Sequence, residues 1–235
     1  MSAAPGATYF SQSRFRLPAG ATDVLLIRHG ESAPMPADGT HPVSAGGQAD
    51  PALSGAGRHQ AELLAQRLGV VRLDAIYVSA LRRTAETAAP LAERLGLTPL
   101  VEPDLSEIYL GDWEGGTFRR LVAERDPRMR TLWHNGSWDA VPNAEPAADF
   151  AARVRRALQR IRDANPGRRV AAVCHGGVIG QAVALATGAG ALAFMQADNA
   201  SVTQLILHGD LWIVRRFNDT AHLGPAFTEA SDPPT

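Results

Sequence analysis

The sequence predicts an α/β fold: a three-layer α/β/α sandwich whose mostly parallel sheet carries one antiparallel edge strand. Short apolar runs of strand length alternate along the chain with longer segments of helical periodicity. This alternation is typical of a parallel sheet with helices on both faces and right-handed crossovers. Near the C-terminus, segments 202–208 and 211–217 are instead separated by Gly209-Asp210, a two-residue hairpin signal. We expect the antiparallel edge there.

The first strand and helix are predicted from an apolar run and a pair of helix-end signals. Residues 23–28 contain the run Val-Leu-Leu-Ile and predict a buried strand. A long loop rich in proline and glycine follows over 33–51. Ser54 then suits the N-cap of a helix that ends at Gly69.

The middle of the chain continues the same alternation. A second strand is predicted over 74–79, and a helix follows over 80–95, in which Pro90 should bend or interrupt the rod. A short third strand is expected over 98–102. Residues 111–146 hold three of the four tryptophans and are interpreted as an excursion above the strand ends, not as a sheet element.

The last helices are predicted from their apolar positions. Residues 147–164 place four apolar side chains on one helical face. A strand over 170–174 and a helix over 178–187 then repeat the strand–turn–helix unit. The hairpin completes the sheet.

Length and composition favour one domain. The chain has 235 residues and is 45% hydrophobic, which is enough to bury a full core. We assign this domain to 23–217, with 111–146 lying over the site. Residues 1–22 and 218–235 lack a hydrophobic period and are expected to be irregular tails.

Charge and cysteine usage narrow the expected partners and location. The formal net charge is −1, so no basic excess suggests nucleic acid or an anionic membrane as a partner. Cys174 is the only cysteine, which excludes an intrachain disulfide. No apolar run is typical of a membrane span or a secretory leader. We therefore expect a soluble, cytoplasmic protein.

Two histidines stand where predicted strands end. Arg28-His29-Gly30-Glu31 closes the first strand, and His175-Gly176-Gly177 directly follows the strand over 170–174. Ligands of open α/β sheets bind in the crevice beyond the carboxyl ends of the strands. Glycine beside each imidazole lets a ligand approach the backbone closely. The sequence therefore predicts a site that contains both histidines.

Four motifs in order resemble the histidine phosphatase, or phosphoglycerate mutase-like, superfamily. They are Arg28-His29-Gly30-Glu31, Ser79-Ala80-Leu81-Arg82-Arg83-Thr84, Gly111-Asp112-Trp113-Glu114-Gly115 and Cys174-His175-Gly176-Gly177. The resemblance implies a phosphoric monoester hydrolase of the histidine acid phosphatase type. Such an enzyme would hydrolyse a small phosphorylated metabolite without a cofactor, through a phosphohistidine intermediate on His29.

Arginines are expected to hold the phosphate. Planar guanidinium groups bind phosphate oxygens in pairs, and Arg28 suits this role. The resemblance selects Arg83 as the second arginine, in preference to Arg82. Neighbouring residues on a helix point about 100° apart and cannot both face one pocket, so Arg82 is expected at the surface.

The resemblance gives the two histidines opposite tasks. An imidazole must be neutral to attack phosphorus, and nearby arginines should lower the pKa of His29, the expected nucleophile. His175 would be protonated by the incoming phosphate and would donate hydrogen bonds to its oxygens in the transition state. Gly176, beside it, is expected to contact the phosphate.

Glu107 is the expected proton donor to the leaving alcohol. The resemblance implies this role through a match to the family's L-x-E, which reads Leu105-Ser106-Glu107 here. An alkoxide leaves phosphorus slowly unless it is protonated as it departs. The ionised carboxylate could afterwards activate the water that releases phosphate from His29. Three other carboxylates compete for this role: Glu102, Asp104 and Glu114, the last interpreted as a loop-ordering group.

The sequence departs from the family pattern in two places. Relatives carry an asparagine that contacts phosphate shortly after the first motif, whereas 32–35 reads Ser-Ala-Pro-Met here. This polar contact is lost or supplied from elsewhere. The mutase segment after the catalytic glutamate is also absent, and the chain contains no lysine. These differences favour a phosphatase.

Two alternatives stay open: a cofactor-dependent phosphoglycerate mutase and a non-catalytic relative that binds phosphorylated ligands. A metal site is not predicted, because no helix carries histidines at i, i+4 and no H-x-H or C-x2-C spacing occurs. Strand 211–217 could pair across a homodimer.

Glu31 is expected to orient Arg28 or a backbone amide, and Asn199-Ala200-Ser201 to give polar support to the strand-end loops. The other five histidines are expected at the surface: His41, His59, His134, His208 and His222.

Overall fold

The computed structural model of the protein describes residues 12–35 and 42–224. His41, the centre of the predicted loop 33–51 and much of both predicted tails lie outside the described residues. The described part contains one sheet of six strands. The strands are β1 (Thr22–Arg28), β2 (Ala75–Val78), β3 (Leu100–Val101), β4 (Arg169–Cys174), β5 (Val202–His208) and β6 (Leu211–Asp219).

The sheet is parallel on one side and antiparallel at the other. Its order is β3-β2-β4-β1-β5-β6. The first four strands in this order pair in parallel, whereas β5 pairs antiparallel with both β1 and β6. The hairpin predicted around Gly209-Asp210 is therefore confirmed as the antiparallel edge. Because β1 and β4 are parallel neighbours, their carboxyl ends lie side by side.

Helices cover both faces of this sheet, as the α/β/α prediction requires. They are α1 (Gly55–Leu68), α2 (Arg82–Leu95), α3 (Thr117–Ala123), α4 (Pro127–Asn135), α5 (Ala147–Ala164) and α6 (Gly176–Thr187). Alternate residues of β1 enter different cores, because successive strand side chains point to opposite faces. Val24 and Leu26 join the core formed with α5 and α6, and Leu25 and Ile27 join the core formed with α1 and α2.

Most predicted boundaries agree with the structure, and the differences have local causes. The Ser54 hydroxyl accepts from the Gly57 N–H and caps α1, as expected. Helix α2 continues through Pro90 without interruption. Its buried residues on either side of Pro90 hold it against the sheet: Ala88, Leu91 and Ala92. Strand β3 is shorter than predicted, with two residues.

The excursion over 111–146 contains helices and no strand, as predicted. It comprises 3-10 turns at Gly111–Trp113 and Trp138–Ala140 and the helices α3 and α4 between them. Their apolar side chains, among them Trp113, Leu121 and Leu132, join the core beside α5. Within the described residues, no helix is both long and apolar enough to cross a membrane.

Candidate active site

The two predicted histidines lie side by side at the end of the parallel strands. Strands β1 and β4 are in register, with Arg28 opposite Cys174, so the residues that follow them are adjacent. The His29 N–H donates to the Cys174 carbonyl at 3.0 Å. The rings of His29 and His175 are 5.2 Å apart between centroids and tilted by 60°. The two histidines that follow these strands are therefore neighbours in space.

Backbone contacts fix the state of the His29 ring. Its Nδ1 lies 2.7 Å from the Gly30 carbonyl oxygen. Because a carbonyl only accepts hydrogen bonds, Nδ1 carries the proton and Nε2 carries the lone pair of the neutral ring. The His29 carbonyl in turn accepts from the Asn199 amide at 2.9 Å and from the Ala200 N–H at 3.2 Å. The polar support expected from 199–201 is thus directed at His29.

Burial and neighbouring cations keep His29 neutral. The pKa of His29 is lowered well below its usual value, first by burial and then by Arg83 and Arg28. The hydrogen bond to Gly30 acts in the opposite direction and is outweighed. The predicted effect of the arginines on this pKa is confirmed, although burial is the larger cause. A buried neutral imidazole with a fixed lone pair is a competent nucleophile.

Arg28 and Arg83 both enter the cavity beside the histidines. Arg28 donates from a terminal nitrogen to the Ala197 carbonyl at 2.7 Å, and its buried Nε has no partner among the described residues. Arg83 donates to the Ala49 carbonyl at 3.0 Å and lies 3.9 Å from the Asp50 carboxylate. Burial lowers the pKa of Arg83 to about 10, so this guanidinium stays charged near neutral pH.

The two adjacent arginines of α2 point in different directions, as predicted. Arg83 is buried and lines the cavity. Arg82 is exposed and pairs with Glu86, one helical turn later, at 3.1 Å. The helical rotation between neighbours explains why only one of them reaches the site.

Three further arginines that no motif indicates also line the cavity: Arg119, Arg120 and Arg125. Arg119 is half-buried, whereas the other two are exposed. Arg119 lies on α3 and donates to the Ser32 hydroxyl at 2.6 Å and to the Ala33 carbonyl at 3.0 Å. These residues belong to the stretch that replaces the family's asparagine. The only signal in the sequence was a pair of adjacent arginines at 119–120, in a segment that matches no motif.

Glu107 faces the same cavity, and the start of α6 holds its carboxylate. One carboxylate oxygen accepts from the Gly177 N–H at 3.1 Å, and the other accepts from the Ile108 N–H at 3.0 Å. A Cβ added at Gly177 would lie 2.5 Å from this carboxylate, so glycine leaves room for it. Arg153 donates to the carbonyls of Ser106 at 2.6 Å and Glu107 at 2.8 Å, which fixes the turn that carries Glu107.

The three competing carboxylates are engaged elsewhere. Glu102 is held by two hydrogen bonds from Arg160, which also binds Asp104 at 2.7 Å. Glu114 accepts from the backbone N–H groups of Ala49 and Leu110 and ties two loops together. Neither Glu102 nor Asp104 lines the cavity. The geometry therefore favours Glu107 among the four.

His175 is the N-cap residue of α6, which begins two residues earlier than predicted. Gly176 and Gly177 form the first turn of the helix instead of a loop before it. Helix N-termini attract anions through their free N–H groups and dipole. Burial, Arg83, His29 and Arg28, in that order, lower the pKa of His175 well below its usual value. A phosphate dianion beside this ring would raise its pKa again.

The cavity has a volume of about 970 Å³. Arg28, His29, Arg83, Glu107 and Gly176 all line it, whereas His175 is fully buried and is not among the lining residues. Large apolar side chains also line the cavity, namely Met35, Leu110, Phe118, Trp138 and Met195, together with the charged side chains Glu31, Arg119, Arg120, Glu124 and Arg125.

Two other predictions need correction. Within the described part of the chain, the Glu31 carboxylate makes no hydrogen bond with Arg28 or with a backbone amide. It accepts from the Ser54 hydroxyl at 2.5 Å and so supports the start of α1. His222 is half-buried, not at the surface, because the chain after β6 folds back so that Arg67 reaches its ring at 3.0 Å. His59, His134 and His208 are exposed as expected.

No group of three or more His, Cys, Asp or Glu side chains within 12–35 and 42–224 is arranged to hold a metal ion. Cys174 is buried, and burial raises the pKa of its thiol.

Comparison with known proteins places these residues in a family. Residues 24–220 match the histidine phosphatase superfamily, branch 1. The chain is 31% identical to a probable phosphoglycerate mutase, GpmB, of Photorhabdus laumondii, over 88% of this chain and 97% of that protein. It is 32% identical to a metal-independent phosphoserine phosphatase of Arabidopsis thaliana, over 86% and 83% of the two chains.

A solved structure agrees with the sequence comparison. The native structure of a mycobacterial glucosyl-3-phosphoglycerate phosphatase superposes with a TM-score of 0.69. It is 30% identical to this chain, and the match covers 85% of this chain and all of that one.

Proposed function

The chain belongs to the histidine phosphatase superfamily, and we propose that it is a phosphomonoesterase that hydrolyses a small phosphorylated metabolite through a phosphohistidine on His29. The observation that carries this proposal is the convergence of two buried imidazoles, 5.2 Å apart, beside Arg28 and Arg83. Relatives named as phosphatases support hydrolysis as the reaction class.

In the first step, the Nε2 lone pair of His29 attacks phosphorus, and the bond from phosphorus to the alcohol oxygen breaks. Arg28 and Arg83 hold the phosphoryl oxygens and balance their charge. His175, protonated when the dianion binds, donates a hydrogen bond to the same oxygens. Glu107 gives its proton to the departing alcohol oxygen, so that a neutral alcohol leaves.

In the second step, water takes the place of the alcohol. The Glu107 carboxylate, now ionised, accepts a proton from this water as its oxygen attacks phosphorus. The bond between phosphorus and His29 Nε2 breaks, and inorganic phosphate leaves with the enzyme back in its starting state. Splitting the reaction into two displacements lowers the highest barrier.

We further propose that Arg119 supplies the polar contact that an asparagine makes in other family members. Its hydrogen bonds to Ser32 and Ala33 place it against the stretch that lacks this asparagine. The volume of the cavity leaves space for an alcohol larger than the phosphate itself.

The likeness to a probable phosphoglycerate mutase makes a mutase the second candidate. In that reaction the phosphoryl group on His29 would return to a different hydroxyl of the same substrate class instead of passing to water. The two candidates therefore differ in the fate of the phosphoryl group.

The test is to incubate the protein with 3-phosphoglycerate and a trace of the bisphosphate, and to follow inorganic phosphate and the 2-isomer together. A panel of phosphorylated metabolites should run in parallel, with His29→Ala as the inactive control. Release of phosphate from at least one member of the panel, lost in His29→Ala, is expected. Accumulation of the 2-isomer faster than phosphate would overturn the hydrolase in favour of the mutase.

A further inference from the structure

One ring nitrogen of His175 contacts a buried pair of hydroxyl groups. His175 Nε2 lies 2.8 Å from the Ser79 hydroxyl oxygen, and that oxygen lies 3.1 Å from the Thr84 hydroxyl oxygen. All three side chains are buried. His175 Nδ1 is also buried and has no hydrogen-bond partner in the described part of the chain.

The remaining contacts of the pair determine where each hydrogen can go. The Thr84 hydroxyl donates to the Leu81 carbonyl at 2.7 Å, which leaves its oxygen free to accept. The Ser79 oxygen already accepts the Leu81 N–H at 3.1 Å and keeps a second lone pair. The hydrogen of Ser79 therefore has two acceptors within reach: Nε2 of His175 and the oxygen of Thr84.

These two positions match the two protonation states of His175. If the neutral ring carries its proton on Nδ1, Ser79 donates to Nε2. When the ring gains a proton, Nε2–H donates to the second lone pair of Ser79, and Ser79 turns its own hydrogen toward Thr84. Every donor in the pair has an acceptor in both states, and Nδ1–H is the donor left without an internal acceptor.

We propose that the Ser79–Thr84 hydroxyl pair positions His175, presenting Nδ1–H to a phosphate oxygen and allowing the ring to take up a proton as the dianion binds. This inference rests on the proposed function. Ser79 and Thr84 are positioning residues, since they act on the substrate only through His175.

The charges around His175 make such support necessary. Arg83 of α2, Arg28 and His29 at the end of β1, and Arg153 of α5 all disfavour a cationic ring. Glu107, whose carboxyl group accepts from the Gly177 N–H, is the nearby acidic side chain. An acceptor for Nε2–H offsets part of this repulsion, and the phosphate dianion offsets the rest.

The test compares the pH dependence of kcat in wild type, Ser79→Ala and Thr84→Val. The active form needs protonated His175, so kcat falls as the pH rises through the pKa of this residue in the substrate complex. Loss of the Ser79 oxygen removes the acceptor for Nε2–H, which lowers that pKa. The alkaline limb of the kcat profile should therefore move to lower pH, with roughly a tenfold loss of kcat above the new pKa.

Thr84→Val keeps shape and burial but removes the alternative acceptor for the Ser79 hydrogen. Its alkaline limb should move in the same direction by a smaller amount. Thr203→Val is the matched control, because Thr203 is a buried hydroxyl residue of β5 that binds the Asn218 N–H instead of a histidine. Its profile should keep the wild-type limb.

Nitrogen NMR of histidine-labelled protein with inorganic phosphate gives a second measurement that does not need turnover. Neutral His175 should carry its proton on Nδ1 in wild type, and its pKa in the phosphate complex should fall in both variants. If the alkaline limb of kcat and the pKa of His175 are the same in both variants as in wild type, the proposal is overturned and the two hydroxyls are packing groups only. A neutral ring protonated on Nε2 would also overturn the proposal.

A failure of the proposed function can be distinguished from a failure of this inference about His175. If the proposed function fails, wild type releases no phosphate from any substrate, while the NMR measurement still decides how the pair acts on His175. If Ser79→Ala does not fold, Thr84→Val and the wild-type spectra decide the same question.

Discussion

His29 and His175 differ in the chemical character of their hydrogen-bond partners. His29 Nδ1 faces a carbonyl oxygen, which can only accept, so the neutral tautomer with a lone pair on Nε2 is favoured. His175 Nε2 faces a hydroxyl, which can accept or donate. The same side chain is thereby suited to nucleophilic attack at one position and to hydrogen-bond donation at the other.

Replacing the proton donor should separate substrates by their leaving groups. Glu107→Gln keeps the size of the side chain but cannot give a proton to a departing oxygen. We expect kcat to fall about 10²- to 10⁴-fold for alkyl phosphates, with a much smaller loss for aryl phosphates, whose alcohols leave without protonation. Steady-state kinetics with both substrate types makes the comparison.

Glu102→Gln is the control for this prediction, because Glu102 lies in the same stretch but binds Arg160 outside the cavity. It should leave the ratio of alkyl to aryl activity unchanged. Equal losses for alkyl and aryl substrates in Glu107→Gln would contradict the assigned role.

The neighbouring arginines of α2 allow a matched pair of variants. Arg83→Ala removes a buried cation that faces the phosphate, and charge-assisted hydrogen bonds of this kind contribute about 1.5–3 kcal/mol. We expect kcat/KM to fall roughly 10- to 150-fold. Arg82→Ala removes an exposed surface pair with Glu86 and should change kcat/KM by less than about twofold. A comparable loss in the two variants would argue against phosphate binding by Arg83.

At the scale of elements, the start of α6 links the backbone to the proton donor. Gly177 has an ordinary helical conformation, so alanine there strains no backbone and gains about 0.5–1 kcal/mol of helix propensity. Its Cβ, however, would lie 2.5 Å from the Glu107 carboxylate and displace it. Gly177→Ala should therefore lower alkyl phosphatase activity at least tenfold while leaving the melting temperature unchanged or higher.

Gly55→Ala provides the comparison, since a Cβ at this position on α1 meets nothing within 4 Å. Its activity should equal that of wild type. If Gly177→Ala instead loses stability and activity together, the effect would come from damage to α6, not from displacement of Glu107.

Element prediction succeeded where periodicity and end signals agreed. The apolar face of α5 and the Ser54 cap of α1 were both readable in the sequence, because each is a local property. The start of α6 was placed too late, since consecutive glycines have low helix propensity. Pro90 was expected to bend or interrupt α2; the helix is not interrupted, because packing on both sides of Pro90 preserves it.

At the scale of the whole molecule, the sheet order brings sequence-distant motifs together. Neighbouring parallel strands β1 and β4 place His29 beside His175, and this could be predicted from strand ends alone. The contacts of Arg119 with Ser32, and of Ser79 with His175, could not. They depend on the path of the excursion and on rotamers in the core, which no local pattern in the sequence encodes.

The two buried histidines should also make stability depend on pH. Their folded pKa values lie below the unfolded value of about 6.5. Below that pH the unfolded chain binds protons that the folded protein excludes. The stability contributed by the neutral rings is therefore complete above about pH 6.5 and is lost as the pH falls, by up to about 1.4 kcal/mol per pH unit for each ring.

Urea unfolding between about pH 5 and pH 8 measures this slope. His29→Asn and His175→Asn should each flatten the acid side of the curve, whereas His59→Asn, at an exposed position, should not. Identical slopes in all four proteins would show that other groups cause the acid lability.

The most direct test of the central claim is to trap the covalent intermediate. Wild-type protein is mixed with a radiolabelled substrate, quenched with alkali during turnover, and digested for mass spectrometry. We predict an acid-labile, base-stable label on the peptide that contains His29, and none in His29→Ala. With an aryl phosphate, whose leaving group needs no proton, Glu107→Gln should carry more label than wild type, because the second step is slowed. Turnover by wild type without any label on His29, or label that persists in His29→Ala, would contradict the account.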